Sequence, residues 1–216
     1  MLRAIIFDYN GVLVDDLTVH EDAYLFAAKK YGFPLTRKTA SCYISYAPDR
    51  KRSLYFGEIS DEMWRRIFQA KTECYFRMAS ERNLVFPDVE TVLTSLSKKY
   101  MLAVLSNTTR SYFEDIFPSQ LSCLFQETLF AGEVSEPKPF PAPLREITAR
   151  LKISKEQCCY VGDSLVDMQM SKAAGISVYG VATGHNAMDE LREAGAVDVF
   201  SSLTELERRL DAKGDS

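Results

Sequence analysis

At 216 residues, 46% hydrophobic and 26% charged, the chain suits one compact α/β domain, or a domain carrying a smaller insertion, and excludes a disordered or fibrous protein. A chain of this length buries most of its apolar surface without disulfides or a structural metal. A net charge of -4 gives no electrostatic footprint for nucleic acid or anionic lipid, so any phosphate must be held by a few local cations.

In chain order, Ala4-Ile5-Ile6-Phe7 reads as a buried first strand. From about 15 to 85 no strand is convincing and helical patterning dominates. Leu17, Tyr24, Ala27, Ala28 and Tyr31 form one stripe; Ile59, Met63, Ile67, Cys74 and Met78 form another, with Ser60 as N-cap and Asp61-Glu62 in the first turn. A helix over 88–99 then leads to a strand at Met101–Leu105. Further strands are predicted at Glu127–Ala131, Cys158–Val161, Ile176–Tyr179 and Val197–Phe200, with helices at 109–117, 141–151, 165–174, 187–194 and 203–210. This alternation predicts a doubly wound parallel sheet, an α/β Rossmann-like core of residues 1–14 and 86–216, interrupted by a helical domain at 15–85. The insertion leaves from the carboxyl end of the first strand, where open α/β sheets bind ligands.

The five cysteines are odd in number and show no C-x-x-C spacing, which predicts reduced, mostly buried thiols rather than disulfides or a zinc site. A strand-like start at the third residue leaves no signal peptide, and no apolar stretch could span a bilayer. The expected location is cytoplasmic, and nothing in the sequence fixes the oligomeric state.

Three predicted strands end in reactive residues: Asp8-Tyr9-Asn10-Gly11-Val12, Ser106-Asn107-Thr108 and Gly162-Asp163-Ser164-Leu165-Val166-Asp167. Between the last two lies Glu136-Pro137-Lys138-Pro139. Singly, each residue could equally cap a helix or shape a turn. In a parallel sheet, however, the strand ends share one rim, so Asp8, Ser106 and Asp163 converge.

Together these residues resemble the haloacid dehalogenase superfamily, whose motifs run D-x-D-G-T/V, a Ser or Thr after a strand, a Lys, and G-D-S/T-x-x-D. The helical insertion after the first motif is similar to the small-cap branch that includes phosphoglycolate phosphatases and β-phosphoglucomutases. The resemblance implies a Mg²⁺-dependent phosphatase acting on a small phosphorylated metabolite, with Asp8 as nucleophile and an aspartyl-phosphate intermediate. It further implies a metal site of Asp8, the Asn10 carbonyl and Asp163, with Asp167 behind them. Ser106, Asn107 and Lys138 would hold the transferring oxygens. His20 and Arg50 match substrate-contacting positions in the caps of β-phosphoglucomutase relatives.

The departure from the pattern is Asn10, where the family carries the Asp that serves as general acid and then base. An amide cannot exchange that proton, and general acid–base help is usually worth about 10²–10⁴-fold. Four consequences stay open: a preference for activated acyl phosphates, slow turnover with water or His20 standing in, a regulatory protein that binds phosphate with little catalysis, or deamidation at Asn10-Gly11. A phosphonate C–P hydrolase is a further alternative, because that group carries a non-acidic residue at this position. It would also need a Schiff-base lysine, for which Lys51 or Lys71 is available.

Overall fold

The computed structural model describes residues 1–214, and these divide into two compact units. One comprises Met1–Asp15 together with the chain from Val85 onward; the other is Asp16–Leu84. The first unit contains a six-stranded sheet of β1 (Ala4–Phe7), β2 (Met101–Leu105), β3 (Phe125–Leu129), β4 (Cys158–Gly162), β5 (Ser177–Val181) and β6 (Val199–Phe200). All pairings are parallel and the spatial order is β3-β2-β1-β4-β5-β6.

A parallel strand is covered on both faces, so it needs an unbroken apolar run rather than alternation. Every residue of β1 is fully buried, as its central place requires. On one face Ala4, Ile6, Ala103, Leu105, Cys158 and Tyr160 pack in a single cluster with Leu144, Ile147, Met168 and Met170, which come from helices following β3 and β4. The register aligns Phe7 with both Val104 and Val161. Asp8, Ser106 and Asp163 therefore emerge at one edge, and the strand order reverses between β1 and β4, where such sheets form a ligand crevice.

The unit's helices are α5 (Val89–Leu96), α6 (Arg110–Ile116), α7 (Ser119–Ser122), α8 (Ala142–Arg150), α9 (Leu165–Ala174), α10 (Met188–Glu193) and α11 (Leu203–Gly214). Against the expected Glu127–Ala131, the third strand is shifted to Phe125–Leu129, and α7 was not anticipated. Only the ends of β3 are buried, so its middle offers no apolar run to read. The chain leaves and re-enters this unit through adjacent backbone: Val14 bridges Val85, and Phe86 N–H donates to the Leu13 carbonyl at 3.2 Å.

The second unit holds α1 (Leu17–Lys30), α2 (Arg37–Cys42), α3 (Pro48–Phe56) and α4 (Asp61–Ala79). Its interior is aromatic, with Tyr24, Tyr55, Phe56 and Trp64 around Ala27, Ala28, Ile67 and Ala70. The Ser60 hydroxyl accepts from Met63 N–H at 3.2 Å, which caps α4. The buried stripe of α4 is rotated from the expected one: Trp64, Ile67, Lys71, Cys74 and Tyr75 face inward, while Met63 and Met78 are only half-buried.

All five cysteines are free; Cys74, Cys158 and Cys159 are buried and Cys42 and Cys123 exposed. Among the described residues no helix is long and apolar enough to cross a membrane.

Candidate active site

Asp8, Asp163 and Asp167 come together at the reversal of strand order, with one oxygen from each within 4.8 Å of the others. They are 7%, 2% and 0% exposed. Among the described residues, the cation bonded to them is Lys138, whose Nζ lies 2.8 Å from Asp8 Oδ2 and 2.8 Å from Asp167 Oδ1. Three carboxylates beside one ammonium leave two excess negative charges in a buried place. That arrangement is costly unless carboxyls protonate or a cation joins them.

The electrostatics show this cost directly. Burial, the largest cause, pushes the Asp8 carboxyl up from 3.8 to about 6, helped by the Asp167 charge and opposed by Lys138. Burial raises Asp163 well above the usual carboxylate range, with Asp167 and Asp8 adding to it. At Lys138 burial opposes the charge, but Asp167 and Asp8 outweigh it and hold the ammonium above its ordinary range. A divalent cation would balance the excess, and hard carboxylate oxygens suit Mg²⁺.

Each of the three carboxylates has a defined supporting bond. Asp8 Oδ1 accepts from Tyr9 N–H at 2.7 Å. Asp167 gives Oδ2 to the Ser164 amide at 3.1 Å and hydroxyl at 2.6 Å, which forms the capping box of α9. With Oδ1 on Lys138, Asp167 takes three protein donors against two on Asp8 and one on Asp163, so Asp8 and Asp163 keep more lone pairs open to a cation. Asp163 Oδ2 accepts from His185 N–H at 2.6 Å.

Two glycines make room for that carboxylate. A Cβ at Gly184 would lie 1.9 Å from Asp163 Oδ2, and one at Gly11, where φ is +75°, would lie 2.4 Å from it. Thr183 Oγ1 donates to the Gly11 carbonyl at 2.7 Å and ties the two loops together. The Thr183-Gly184-His185 segment was not anticipated as part of the site, because a backbone donor leaves no side-chain signature. Gly184→Ala should overpack the pocket by about 1–3 kcal/mol and lower the melting temperature by about 2–10 °C. A thermal melt within 1 °C of the parent would show that Asp163 can step aside.

The remaining predicted residues divide. Ser106 Oγ donates to Asn10 Oδ1 at 3.3 Å, so hydroxyl and amide sit side by side. Asn107 departs from simple phosphate binding: its Nδ2 donates to the Lys138 carbonyl and its Oδ1 accepts from Lys138 N–H, both at 3.0 Å. Its side chain thus fixes the backbone of the lysine.

His20 and Arg50 belong to the other unit. Arg50 is exposed on α3. His20 is buried, with Nε2 at 3.2 Å from Asp16 Oδ2, Nδ1 at 2.6 Å from Lys71 Nζ, and its ring stacked on Tyr75 at 4.3 Å. Tyr75 hydroxyl donates to the same Asp16 oxygen at 2.7 Å. Burial and the neighbouring Lys71 charge lower His20 to about 4 despite Asp16. Burial lowers Lys51 to about 7 and Lys71 well below the lysine range. Sequence periodicity gives no hint of a lysine as an interior residue, so this cluster was visible only in part.

The family model described as haloacid dehalogenase-like hydrolase matches residues 5–181. Among curated relatives, a phosphoglycolate phosphatase of Psychrobacter arcticus is 24% identical over 215 residues, covering 94% of each chain. A phosphorylated carbohydrates phosphatase of Thermotoga maritima is 28% identical over 204 residues, covering 91% of this chain and 93% of its own. Among solved structures, an Asp-to-Asn mutant of CbbY from Rhodobacter sphaeroides, in complex with xylulose-(1,5)bisphosphate, superposes with a TM-score of 0.80 at 22% identity, covering 95% and 96%. With most of its length matched by the family model and the acidic cluster, lysine and serine at one sheet edge, the chain belongs to the haloacid dehalogenase-like hydrolases.

Proposed function

We propose that the chain is a Mg²⁺-dependent phosphatase of a small phosphorylated metabolite that works through an aspartyl-phosphate on Asp8. The observation that carries this reading is the buried cluster of Asp8, Asp163 and Asp167, held together by Lys138 at 2.8 Å from two of them. Held by Asp8, the backbone carbonyl of Asn10 and Asp163, Mg²⁺ would supply the charge that offsets repulsion between a carboxylate and a phosphate. Asp8 attacks phosphorus as the leaving oxygen departs, and water then cleaves the acyl phosphate. Lys138, whose three donors lie on Asp8, Asp167 and Tyr160, neutralises charge beside the nucleophile, the Ser106 hydroxyl steadies the phosphoryl oxygens, and Asn107 keeps Lys138 in place. In this reading Asp16–Leu84 is the cap and Arg50, exposed on α3, its substrate-contact candidate, whereas His20 is buried against Asp16, Lys71 and Tyr75 within that unit.

One observation favours a second reading, a phosphate-binding regulatory protein with weak catalysis. Asn10 is an amide, and its carbonyl oxygen accepts from Ser106, so no carboxyl stands there to pass a proton. The two readings separate on a phosphate panel assayed with Mg²⁺ and again with EDTA. The relatives' names put 2-phosphoglycolate and phosphorylated carbohydrates at its head. Acyl phosphates, which need no acid for their leaving group, should turn over faster than alkyl esters. The expected result is turnover that EDTA takes to background. Silence across the panel, with phosphate and Mg²⁺ still bound, would establish the regulatory reading instead.

A further inference from the structure

We infer that Tyr160 is a positioning residue that holds the Lys138 ammonium for phosphoryl transfer at Asp8. This rests on the reading of Asp8 as nucleophile. An ammonium has three N–H donors in fixed tetrahedral directions. Those of Lys138 go to Asp8 Oδ2 at 2.8 Å, Asp167 Oδ1 at 2.8 Å and the Tyr160 hydroxyl at 2.9 Å. The two carboxylates hold the lysine strongly but leave its ammonium able to pivot about the line between them. The third, neutral partner removes that freedom.

The geometry of the phenol is itself constrained. Tyr160 hydroxyl donates its own proton to the Leu105 carbonyl at 2.9 Å, so its lone pairs are left for the lysine. Leu105 immediately precedes Ser106, so one hydroxyl ties the lysine to the backbone that carries the phosphate-facing serine. Tyr160 is fully buried and lies in central strand β4, in register with Ile6, three residues before Asp163. It is thus mounted on the same rigid element as a metal ligand. Asn107 fixes the lysine's backbone and Tyr160 fixes its tip.

Removing the hydroxyl leaves an ammonium proton without an acceptor and lets Nζ drift from the attacking oxygen of Asp8. A displacement of about 1 Å at such a group can cost on the order of 10²-fold in rate, so Tyr160→Phe should lower kcat by about 10-fold. KM should stay within about twofold, since no substrate contact is lost. The test is steady-state turnover of p-nitrophenyl phosphate with Mg²⁺ by the full chain, Tyr160→Phe, Lys138→Ala and the double variant. The double variant should be no slower than Lys138→Ala alone, because Tyr160 acts only through the lysine. A kcat unchanged by Tyr160→Phe, or a loss that multiplies on that of Lys138→Ala, overturns the proposal.

A readout without turnover separates this inference from the catalytic one. In protein labelled with ¹⁵N-lysine, the Lys138 ammonium should give a slowly exchanging signal, assigned by its disappearance in Lys138→Ala. Tyr160→Phe should shift that signal or speed its exchange, and an unchanged signal overturns the role of Tyr160. Should the variant not fold, absence of such a signal from the folded parent overturns it equally. If the parent turns over no phosphate at all, the nucleophile reading fails while the ammonium signal still decides for or against Tyr160.

Discussion

Asn10→Asp should raise turnover of unactivated phosphate esters by about 10²-fold or more. The substitution is nearly isosteric and replaces a group that cannot exchange protons with one that can. General acid–base assistance of this kind contributes about 10²–10⁴-fold, or roughly 3–5 kcal/mol of barrier. The new carboxyl would stand where Asn10 Oδ1 now accepts from Ser106 at 3.3 Å, two residues along the chain from Asp8. The gain should be large for alkyl phosphates and small for acyl phosphates, whose leaving groups need no proton. Equal kcat on both substrate classes, before and after the change, would mean that Asn10 does not stand in for a missing acid. Spontaneous deamidation is a competing source of the same carboxyl. It requires the Gly11 nitrogen to attack the Asn10 side chain, yet Gly11 N–H is committed to the Val14 carbonyl at 2.8 Å. The structure therefore opposes that route, and mass spectrometry of the peptide containing Asn10 checks it.

The second large effect is a paired loss and gain at Asp8. Asp8→Asn should reduce turnover by at least about 10³-fold, because removing a covalent nucleophile leaves only binding and electrostatic help. The same substitution should not destabilise the metal-free protein at pH 7.5. Asp8 titrates near 6 when folded and near 3.8 when unfolded. The folded state thus prefers the protonated form, and stability is lost as the pH rises from 3.8 through about 6. Above that window the ionised carboxylate costs up to about 3 kcal/mol, a cost that a neutral amide avoids. Denaturant titration of the parent and variant in EDTA at pH 7.5 and pH 4 measures it. The variant's advantage should be present at the higher pH and shrink at the lower. An Asp8→Asn protein less stable than the parent at pH 7.5 would contradict the sign.

The sheet was legible wherever a strand is buried on both faces, because apolar runs such as Ala4–Phe7 and Met101–Leu105 have no other good use. It was misplaced at β3, whose interior residues are partly exposed and polar. In the helical unit, α1 and α4 announce themselves by periodicity, whereas α2 and α3 are short and carry few apolar residues. Asp8, Ser106 and Asp163 stand out in the sequence because each follows a strand, and the structure gathers Asp8 and Asp163 with Asp167, from the first turn of α9, and Lys138, from the loop after β3. Gly184 contributes only empty space, His185 only a backbone amide, and Tyr160 reads as an ordinary aromatic strand residue. Asn107 was read as facing phosphate, but its side chain is occupied by the lysine backbone. Such roles depend on which segments meet, and the residue type alone does not encode that.

The placement of β1 also bears on how the molecule is made. Its neighbours begin only at Met101 and Cys158, with the whole helical unit and the β3–α8 region translated in between. This apolar strand is made before either of its partners and must wait for both, a long-range pairing that folds slowly and invites aggregation. Asp8 is therefore synthesised long before Asp163, and the acidic cluster is incomplete until the later segment has emerged.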